Sequence, residues 1–375
     1  MSSEWVGILG GGQLGRMLAL AGYPLGLRFR FLDPSSQAPA GHLGELQCAG
    51  YDDIPALDRF AQGLSAITYE FENVPVAAAN HLNQRVPVYP PPQALQTAQD
   101  RLHEKTLFQK LEVATPPFVP LSTLAELKDA VASTGLPAVL KTRRMGYDGK
   151  GQAVLRVPDD VERAFSTLRG SELILEGFIP FDRELSILGV RGRNGETAFY
   201  PLVENHHREG MLRLSLAPAS GIDPGHALQR RAEQICTQVM QSLDYVGVLA
   251  IEFFEWNGRL LANEMAPRVH NSGHWSIDGA ETSQFENHIR AVLGLPLGST
   301  AMRGSAAMVN LIGELPEPAK VLTIERVHAH YYGKSPAKGR KLGHLNVAAA
   351  SDELRAETLR ALSTFPGVWG IEGYK

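Results

Sequence analysis

Short apolar runs alternate with helix-like stretches along the first part of the chain. The runs that predict strands lie at residues 5–9, 27–32 and 66–69, and a helix-like stretch at 16–21 separates the first two. Strands that alternate with helices form mostly parallel sheets, with ligands at the strand carboxyl ends. We therefore predict a Rossmann-like domain over residues 1–92, which three consecutive prolines close at its end.

The same alternation resumes in a second α/β unit. Helix-like stretches lie at 100–111, 124–133 and 159–168, and apolar runs that predict strands lie at 137–140 and 173–176. We predict that residues 93–178 form one lobe and that residues 176–180 form a hinge to the next lobe.

The remaining chain predicts a second lobe and a small end unit. Strands are expected at 184–190 and 196–200, a long helix at 226–243, and a hairpin of 246–256 with 259–266. We assign residues 179–300 to this lobe and residues 301–375 to a small β-rich unit with a terminal helix.

A glycine-rich loop follows the strand that ends at Lys141, in the sequence KTRRMGYDGKGQ. Glycine lets backbone N–H groups approach a ligand closely, and such groups with nearby cations can form an anion site. The spacing differs from the Walker A motif. Taken alone, the loop is either a cover for phosphates or a polar hairpin tip.

A second glycine motif, Gly10-x-Gly12-x-x-Gly15, follows the first strand and opens a helix. This context suits a dinucleotide-binding turn, because helix N-termini favour anions. The same glycines could bind another phosphate or only pack strand against helix. From this motif alone, a nicotinamide-dependent dehydrogenase stays open.

The predicted hairpin carries two glutamates, Glu252 and Glu264, around a turn at Asn257-Gly258. A two-residue turn would place them on opposite faces, because side chains alternate along a strand. A three-residue loop with Gly258 at a bulge would place both on one face. We predict this bulged form and a Mg²⁺ site, since Mg²⁺ prefers oxygen ligands beside nucleotide phosphates. The alternative is two solvent-facing acids on an edge hairpin.

Composition narrows the class of protein. The 375 residues carry 36 Lys and Arg against 40 Asp and Glu, a net charge of −4, which argues against non-specific nucleic-acid binding. Two isolated cysteines, Cys48 and Cys236, make neither a disulfide framework nor a zinc site. The chain shows no membrane-length apolar run and no signal-peptide pattern at its start. We expect a cytoplasmic enzyme with neither a membrane nor a nucleic-acid partner.

The order of these features resembles the ATP-grasp superfamily, in which two lobes clamp ATP. More narrowly, nearly the full length is similar to the 5-(carboxyamino)imidazole ribonucleotide synthase family of purine biosynthesis. The segments that carry the resemblance are GILGGGQLGRM (7–17), TYEFENV (68–74), QDR (99–101), GYDGKGQ (146–152), EGFIPFDRELS (176–186), NEMAPRVHNSGHWS (263–276) and GRKLGHLN (339–346).

The resemblance implies a set of ATP-binding positions and a metal pair. The ATP-binding positions are Arg101, Lys141, Gly146, Tyr147, Asp148, Gly149, Lys150, Gly151, Gln152, Glu176, Gly177, Phe178, Ile179, Glu184, His207, Asn263 and Glu264. Glu252 and Glu264 would hold Mg²⁺. Tyr147, Asp148 and Arg268 are the candidate catalytic residues.

A second set would bind 5-aminoimidazole ribonucleotide beside bicarbonate. Its members are Gln13, Leu14, Glu72, Asn271, Ser272, His274, Lys334, Arg340 and Lys341. The implied reaction uses ATP to carboxylate the amine of this ribonucleotide through carboxyphosphate. The family also suggests a homodimer.

One departure and several alternatives remain. Met145 stands where the family usually has glycine, which predicts less backbone freedom at this point of the loop. The basic run from Lys334 to Lys341 could be a solvated turn instead of a phosphate clamp. The rival functions are a formate-dependent glycinamide ribonucleotide ligase, the dehydrogenase, and a non-catalytic nucleotide-binding regulator.

Overall fold

The N-terminal part folds around a four-stranded parallel sheet. The computed structural model describes residues 4–146, 149–168 and 172–368. The strands run in the order β3-β2-β1-β4. The elements of this part are β1 (Trp5–Leu9), α1 (Gln13–Gly22), β2 (Arg28–Asp33), β3 (Glu45–Cys48), α2 (Ile54–Ala61), β4 (Ala66–Tyr69), α3 (Val76–Asn83), α4 (Pro92–Ala98) and α5 (Arg101–Lys110).

A small lobe follows, built on a four-stranded antiparallel sheet in the order β5-β8-β6-β7. Its elements are β5 (Phe118–Leu121), α6 (Leu124–Thr134), β6 (Ala138–Thr142), β7 (Gln152–Leu155), α7 (Asp160–Leu168) and β8 (Leu173–Gly177). A capping box starts α6, in which Thr123 and Glu126 satisfy each other's backbone N–H. The buried residues of this lobe form a hydrophobic cluster of their own, which makes the lobe a separate packing unit.

The large lobe and the C-terminal part share one nine-stranded sheet, in the order β14-β13-β9-β11-β12-β15-β17-β16 with β10 beside β9. Its strands are β9 (Arg183–Arg191), β10 (Thr197–Phe199), β11 (Val203–Arg208), β12 (Met211–Ala217), β13 (Gly247–Trp256), β14 (Arg259–Ala266), β15 (Ser305–Ile312), β16 (Val327–Tyr331) and β17 (Lys341–Ala349). Its helices are α8 (Ala227–Ser242), α9 (Ser276–Gly279), α10 (Gln284–Leu293), α11 (Pro318–Val321) and α12 (Asp352–Leu362).

Hydrophobic packing joins the N-terminal part to the large sheet. One cluster combines Phe29 and Leu18 of the N-terminal part with Val248 of β13 and Phe285 of α10, while α8 packs on the opposite face of the sheet. Burial of such apolar surface stabilises the contact by about 25 cal/mol per Å². The N-terminal part and the large lobe therefore pack against each other through a shared hydrophobic core. The predicted fold class, α/β with a Rossmann-like domain before an ATP-grasp fold, is confirmed.

The predicted bulged turn of the acidic hairpin is wrong. Asn257 and Gly258 form a two-residue turn with φ of 50° and 68°, and Trp256 pairs directly with Arg259. Two positive φ values suit the twist of a tight hairpin. The extra residue lies further along, at Asn263, between two successive cross-strand pairs.

The bulge at Asn263 makes Glu252 and Glu264 a direct cross-strand pair. Directly paired residues project from the same face of a sheet. The two glutamates therefore share one face as predicted, although the cause differs from the expected one.

None of the helices in the described ranges is both long and apolar enough to cross a membrane.

Candidate active site

A cleft of about 910 Å³ lies where the small lobe, the nine-stranded sheet and the N-terminal part meet. Most of the residues expected to bind ligands line it. These are Gln13, Leu14, Glu72, Arg101, Lys141, Gly146, Gly149, Lys150, Gln152, Glu176, Gly177, Phe178, Ile179, Glu184, His207, Glu252, Asn263, Glu264, Arg268, Asn271, His274, Lys334, Arg340 and Lys341.

Four expected residues stand apart from that set. Tyr147 and Asp148 lie outside the described residues. Gly151 is absent from the cleft lining, and a Cβ there would come within 2.6 Å of the Thr142 hydroxyl. Ser272 is fully buried behind the cleft wall, where its hydroxyl contacts other side chains. Its place is therefore that of a supporting residue.

Two lysines converge on one buried carboxylate at the strand end of the small lobe. Lys141 Nζ lies 3.0 Å from Glu176 Oε2, and Lys105 Nζ lies 3.3 Å from the same atom. Burial lowers the pKa of Lys141. Burial alone would raise the pKa of Glu176, but the charges of the two lysines have the larger effect and lower it. Two lysines therefore share one buried carboxylate beside the cleft.

Apolar side chains border the same end of the cleft. Val139 of β6 lines one side, and Phe254 of β13 lines the other. Phe181 stacks on Phe254 with ring centroids 4.8 Å apart. Glu176 Oε1 is buried without a hydrogen-bond partner. Apolar walls with a few convergent polar atoms are typical of small-molecule sites, and an unmatched acceptor suits an amino group such as that of adenine.

The paired acids occupy the middle of the cleft. Arg101 Nη1 lies 2.8 Å from Glu264 Oε2. Burial would raise the pKa of Glu264, but Arg101 lowers it below its usual range, while burial and Glu264 raise the pKa of Glu252. Asn263 Oδ1 beside them is buried without a partner. This set of oxygen donors fits Mg²⁺.

The two glutamates do not make a complete metal cage. Within 4–146, 149–168 and 172–368, no cluster of three or more His, Cys, Asp or Glu side chains could hold a metal. Mg²⁺ in nucleotide sites is usually bound by one or two carboxylates together with substrate phosphates. The pair therefore suits a metal that arrives with a nucleotide.

A histidine–carboxylate contact lies next to the acidic pair. His207 Nδ1 contacts Glu184 Oε2. Burial lowers the pKa of His207, but the hydrogen bond to Glu184 and the nearby carboxylates raise it overall. Two polar groups are thus held together at the position expected for the ribose.

The N-terminal glycine turn is already occupied by side chains of the chain itself. The Glu70 carboxylate accepts the N–H groups of Gly12 and Gly15, the latter at 2.7 Å, and Asp33 accepts the N–H of Gly11 at 2.8 Å. A Cβ at Gly12 would come within 2.4 Å of Glu70 Oε1. This glycine motif therefore binds a carboxylate, and the basis for a dinucleotide pyrophosphate there is removed.

Basic and polar side chains line the far end of the cleft. Arg268 pairs with Glu72, and Lys334 contacts the side-chain oxygen of Gln13. Asn271 Nδ2 lies 3.2 Å from Asn310 Oδ1. These contacts bring the N-terminal turn, the segment after β14 and the basic run together.

His274 lies at the same end and is fully buried. Its Nε2 has no partner, and its ring packs against Phe285 and His344. Burial and neighbouring cationic or titratable groups hold the pKa of His274 well below its usual range. It is therefore a neutral ring with one unmatched nitrogen.

Gly149, in the described part of the glycine loop, lies beside the β11–β12 turn of the large lobe. Gly149 has φ of +75°, and a Cβ built on it would come 2.9 Å from Gly210 Cα in the β11–β12 turn. Met145 has φ of +61° with 70% of its surface exposed. Left-handed backbone costs a side-chain-bearing residue about 1–2 kcal/mol, so Met145 adopts at a cost the conformation that glycine would adopt freely. Arg143 holds the base of the loop to Asp100 at 2.7 Å.

The sequence reasoning missed Glu104, which lines the cleft, and Lys105, which is buried behind it against Glu176. Lys105 and Glu104 follow Arg101 on α5 at spacings that share one helix face. Glu104 accepts the N–H of Met265 at 2.5 Å, and burial, with Glu264 next, raises its pKa to about 8. That helical spacing was the available signal.

Comparisons with known families cover almost the whole chain. The ribonucleotide synthetase preATP-grasp domain matches residues 3–99, and the ATP-grasp domain matches residues 106–285. The phosphoribosylaminoimidazole carboxylase C-terminal domain matches residues 306–358. The first match covers the N-terminal part, the second covers the small lobe and most of the large lobe, and the third covers the C-terminal strands.

Several similar proteins are N5-carboxyaminoimidazole ribonucleotide synthases or synthetases. The N5-carboxyaminoimidazole ribonucleotide synthase of Pseudomonas aeruginosa is 54% identical over 92% of this chain and 94% of its own length. The N5-carboxyaminoimidazole ribonucleotide synthetase structure of Thermus thermophilus is 60% identical with a TM-score of 0.92, covering 96% of this chain and 98% of that one. An Aspergillus clavatus N5-carboxyaminoimidazole synthase in complex with ADP and 5-aminoimidazole ribonucleotide is 28% identical with a TM-score of 0.89, over 96% and 97% of the two chains. The chain therefore belongs to the N5-carboxyaminoimidazole ribonucleotide synthase family of ATP-grasp ligases.

Proposed function

We propose that this protein uses ATP to join bicarbonate to the amine of 5-aminoimidazole ribonucleotide, in purine biosynthesis. The observation that carries the proposal is the continuous cleft, in which an end with cationic and apolar side chains leads to a second basic, polar end. Membership of an ADP-forming ligase family supports the same reaction. The two ends would hold the two nucleotides, with the reacting groups between them.

The nucleotide would lie between the lobes. Lys141 and Arg101 are the residues we assign to the triphosphate, because they bring positive charge to its position. The apolar side chains Val139 and Phe254 would enclose adenine, and Glu176 Oε1 would accept its amino group. Glu184, held by His207, would take the ribose hydroxyls.

Glu252 and Glu264 are the residues that would hold Mg²⁺. Their oxygen donors and the partnerless Asn263 Oδ1 support this assignment. When bound, Mg²⁺ supplies positive charge that offsets the negative charge of the triphosphate. Because Arg101 keeps Glu264 ionised, the Glu264 carboxylate would be available to bind Mg²⁺ at neutral pH.

The chemistry divides into two transfers. A bicarbonate oxygen attacks the γ-phosphorus, so that the bond to ADP breaks and carboxyphosphate forms. The ribonucleotide amine then attacks the carboxyl carbon, phosphate leaves, and the amine loses one proton. Arg268 would stabilise the negative charge of bicarbonate, because it lines the cleft and is fixed by Glu72.

The loop and the polar run would control water and substrate orientation. Carboxyphosphate hydrolyses readily, so closure of the glycine loop protects it. Tyr147 and Asp148 stay proposed as groups that orient the substrates or accept the amine proton. Lys334, Arg340 and Lys341 would bind the ribonucleotide phosphate by charge and, for arginine, a bidentate contact.

Two assignments rest on the family resemblance and on composition. We propose that the protein forms a homodimer, which is the assembly that the family resemblance suggests. We also propose a cytoplasmic location, which agrees with the two unpaired cysteines Cys48 and Cys236.

Carbon-13 NMR with labelled bicarbonate tests the reaction and its nearest rival together. With ATP and 5-aminoimidazole ribonucleotide, we expect a new carbamate signal that depends on both compounds. A formate-dependent glycinamide ribonucleotide ligase would instead give a formyl signal when labelled formate and that amine are supplied. Formyl product without carbamate would overturn the proposal.

A further inference from the structure

A row of uncharged side chains leads from the interior of the nine-stranded sheet to the acidic pair. Asn205 Nδ2 donates to Ser186 Oγ at 2.9 Å, and Ser186 Oγ donates to Ser272 Oγ at 2.8 Å. Ser272 Oγ lies 2.8 Å from His270 Nδ1. The two serines are fully buried and Asn205 is 4% exposed, so water does not compete for these bonds.

The sheet register explains why these residues meet. Ser186 of β9 is the cross-strand partner of Glu252 of β13, and Asn205 of β11 is the partner of Ser215 of β12. Directly paired residues share a face. The row therefore lies on the same face of the sheet as the two candidate metal ligands, behind the cleft.

The direction of the hydrogen bonds can be followed from one end. The Ser215 hydroxyl donates to Asn205 Oδ1 at 2.8 Å, which leaves the Asn205 amide group to donate to Ser186. Each serine then accepts one bond and can donate the next. The last hydroxyl, that of Ser272, is directed at His270 Nδ1.

A backbone contact fixes the tautomer of His270. The Ser272 N–H, which can only donate, donates to His270 Nδ1 at 3.3 Å. Nδ1 must therefore be an acceptor, and the ring proton lies on Nε2, which is 3.4 Å from Glu252 Oε1. The Gln284 side chain holds the backbone of His270 through two hydrogen bonds. Gln284 Oε1 accepts the His270 N–H at 2.8 Å, and Gln284 Nε2 donates to the His270 carbonyl at 2.7 Å.

We propose that Asn205, Ser186 and Ser272 are positioning residues that hold His270 as an Nε2–H donor facing Glu252. Groups that orient a ligating carboxylate from behind contribute to metal affinity, typically by 10–100-fold. With one Glu252 oxygen facing this donor, the other oxygen is left to face the cleft. The inference rests on the proposed function for the role of Glu252, but the tautomer itself does not.

Nitrogen-15 NMR of histidine-labelled protein, without nucleotide, tests the tautomer directly. His270→Gln identifies the His270 signals by their loss. We expect an unprotonated Nδ1 and a protonated Nε2 at neutral pH. A protonated Nδ1 would overturn the inference whatever the enzyme catalyses.

A matched pair of variants tests positioning. Ser272→Thr keeps the hydroxyl, while Ser272→Val has nearly the same shape without it, so damage to packing is common to both. We expect Ser272→Val to bind Mn²⁺·ADP about tenfold more weakly than Ser272→Thr, as measured by electron paramagnetic resonance. Ser186→Thr and Ser186→Val should differ in the same direction by less. Equal Mn²⁺·ADP affinity within the Ser272 pair would refute the positioning role.

Discussion

Substitution of Gly149 by alanine should weaken closure of the glycine loop. Gly149 has φ of +75°, which costs alanine about 1–2 kcal/mol. The new Cβ would also come 2.9 Å from Gly210 Cα, a backbone atom that cannot rotate away. The backbone strain at residue 149 and the close approach of its Cβ both weaken the contact between the loop and the β11–β12 turn.

A loss of about 1–2 kcal/mol lowers the closed population by a factor of about 5–30. We expect ADP affinity, measured by calorimetry, to fall by that factor. The ratio of phosphate released to carboxylated product should also rise, because carboxyphosphate is exposed to water. Parallel assays of phosphate and of carbamate measure this ratio.

Gly63→Ala is the matched control for backbone strain. Gly63 has φ of +71° with no atom within 4 Å of its ideal Cβ, and it does not line the cleft. The Gly63→Ala variant should lose stability without a change in ADP affinity or in the ratio of phosphate released to carboxylated product. If Gly149→Ala behaves like Gly63→Ala in both assays, the contact between the loop and the turn has no role in closure.

Three further changes give separate expectations. Lys105→Met removes one charged contact of Glu176 but leaves Lys141 in place, so the free energy of unfolding in urea should fall by about 1.5–3 kcal/mol and the KM for ATP should rise. An unchanged urea midpoint would contradict the buried cluster. The pKa of His207 is raised beside Glu184, so their contact stabilises the fold below about pH 6.5, and this stabilisation is lost as pH rises through the folded pKa. The difference in Tm between the unmodified protein and His207→Gln should therefore shrink at high pH. A difference in Tm that stays constant with pH would refute this. Gly258→Ala, at φ of +68°, should cost about 1 kcal/mol in thermal melts without a change in the KM for ATP; a large change in that KM would show that the turn controls the acidic pair.

Local patterns were enough to predict most of the elements. The strands Trp5–Leu9 and Ala66–Tyr69 have the predicted bounds, because each is a short apolar run closed by polar or glycine residues. The helices Leu124–Thr134 and Asp160–Leu168 differ by a residue at one end. In such segments the local preference and the final packing agree.

The acidic hairpin shows where local reasoning failed. Asn257-Gly258 is a typical two-residue turn signal, and the chain uses it as one. The bulge at Asn263 has no local marker, because it depends on how β14 meets the rest of the sheet. The extra residue in β14 makes Glu252 and Glu264 direct partners, whereas the predicted three-residue loop would have made them diagonal neighbours on the same face.

The remaining gaps concern partners distant in sequence. The motif segments identified the cleft residues, but not that Glu70 fills the N-terminal glycine turn or that Lys105 shares Glu176 with Lys141. The predicted β-rich character of residues 301–375 is confirmed, but the sequence did not show that these strands extend the large-lobe sheet through pairs such as Leu214 with Val309. Such pairings arise from tertiary packing, which a single sequence does not specify.

The central claim is that ATP cleavage is tied to carboxylation of 5-aminoimidazole ribonucleotide in this cleft. The most direct measurement is phosphate release from ATP with that ribonucleotide added and withheld, in the presence of bicarbonate. We predict rapid release only when the ribonucleotide is present, and loss of that release in Glu264→Gln with the fold retained. Release at the same rate without the ribonucleotide, or activity only with another amine, would contradict the account.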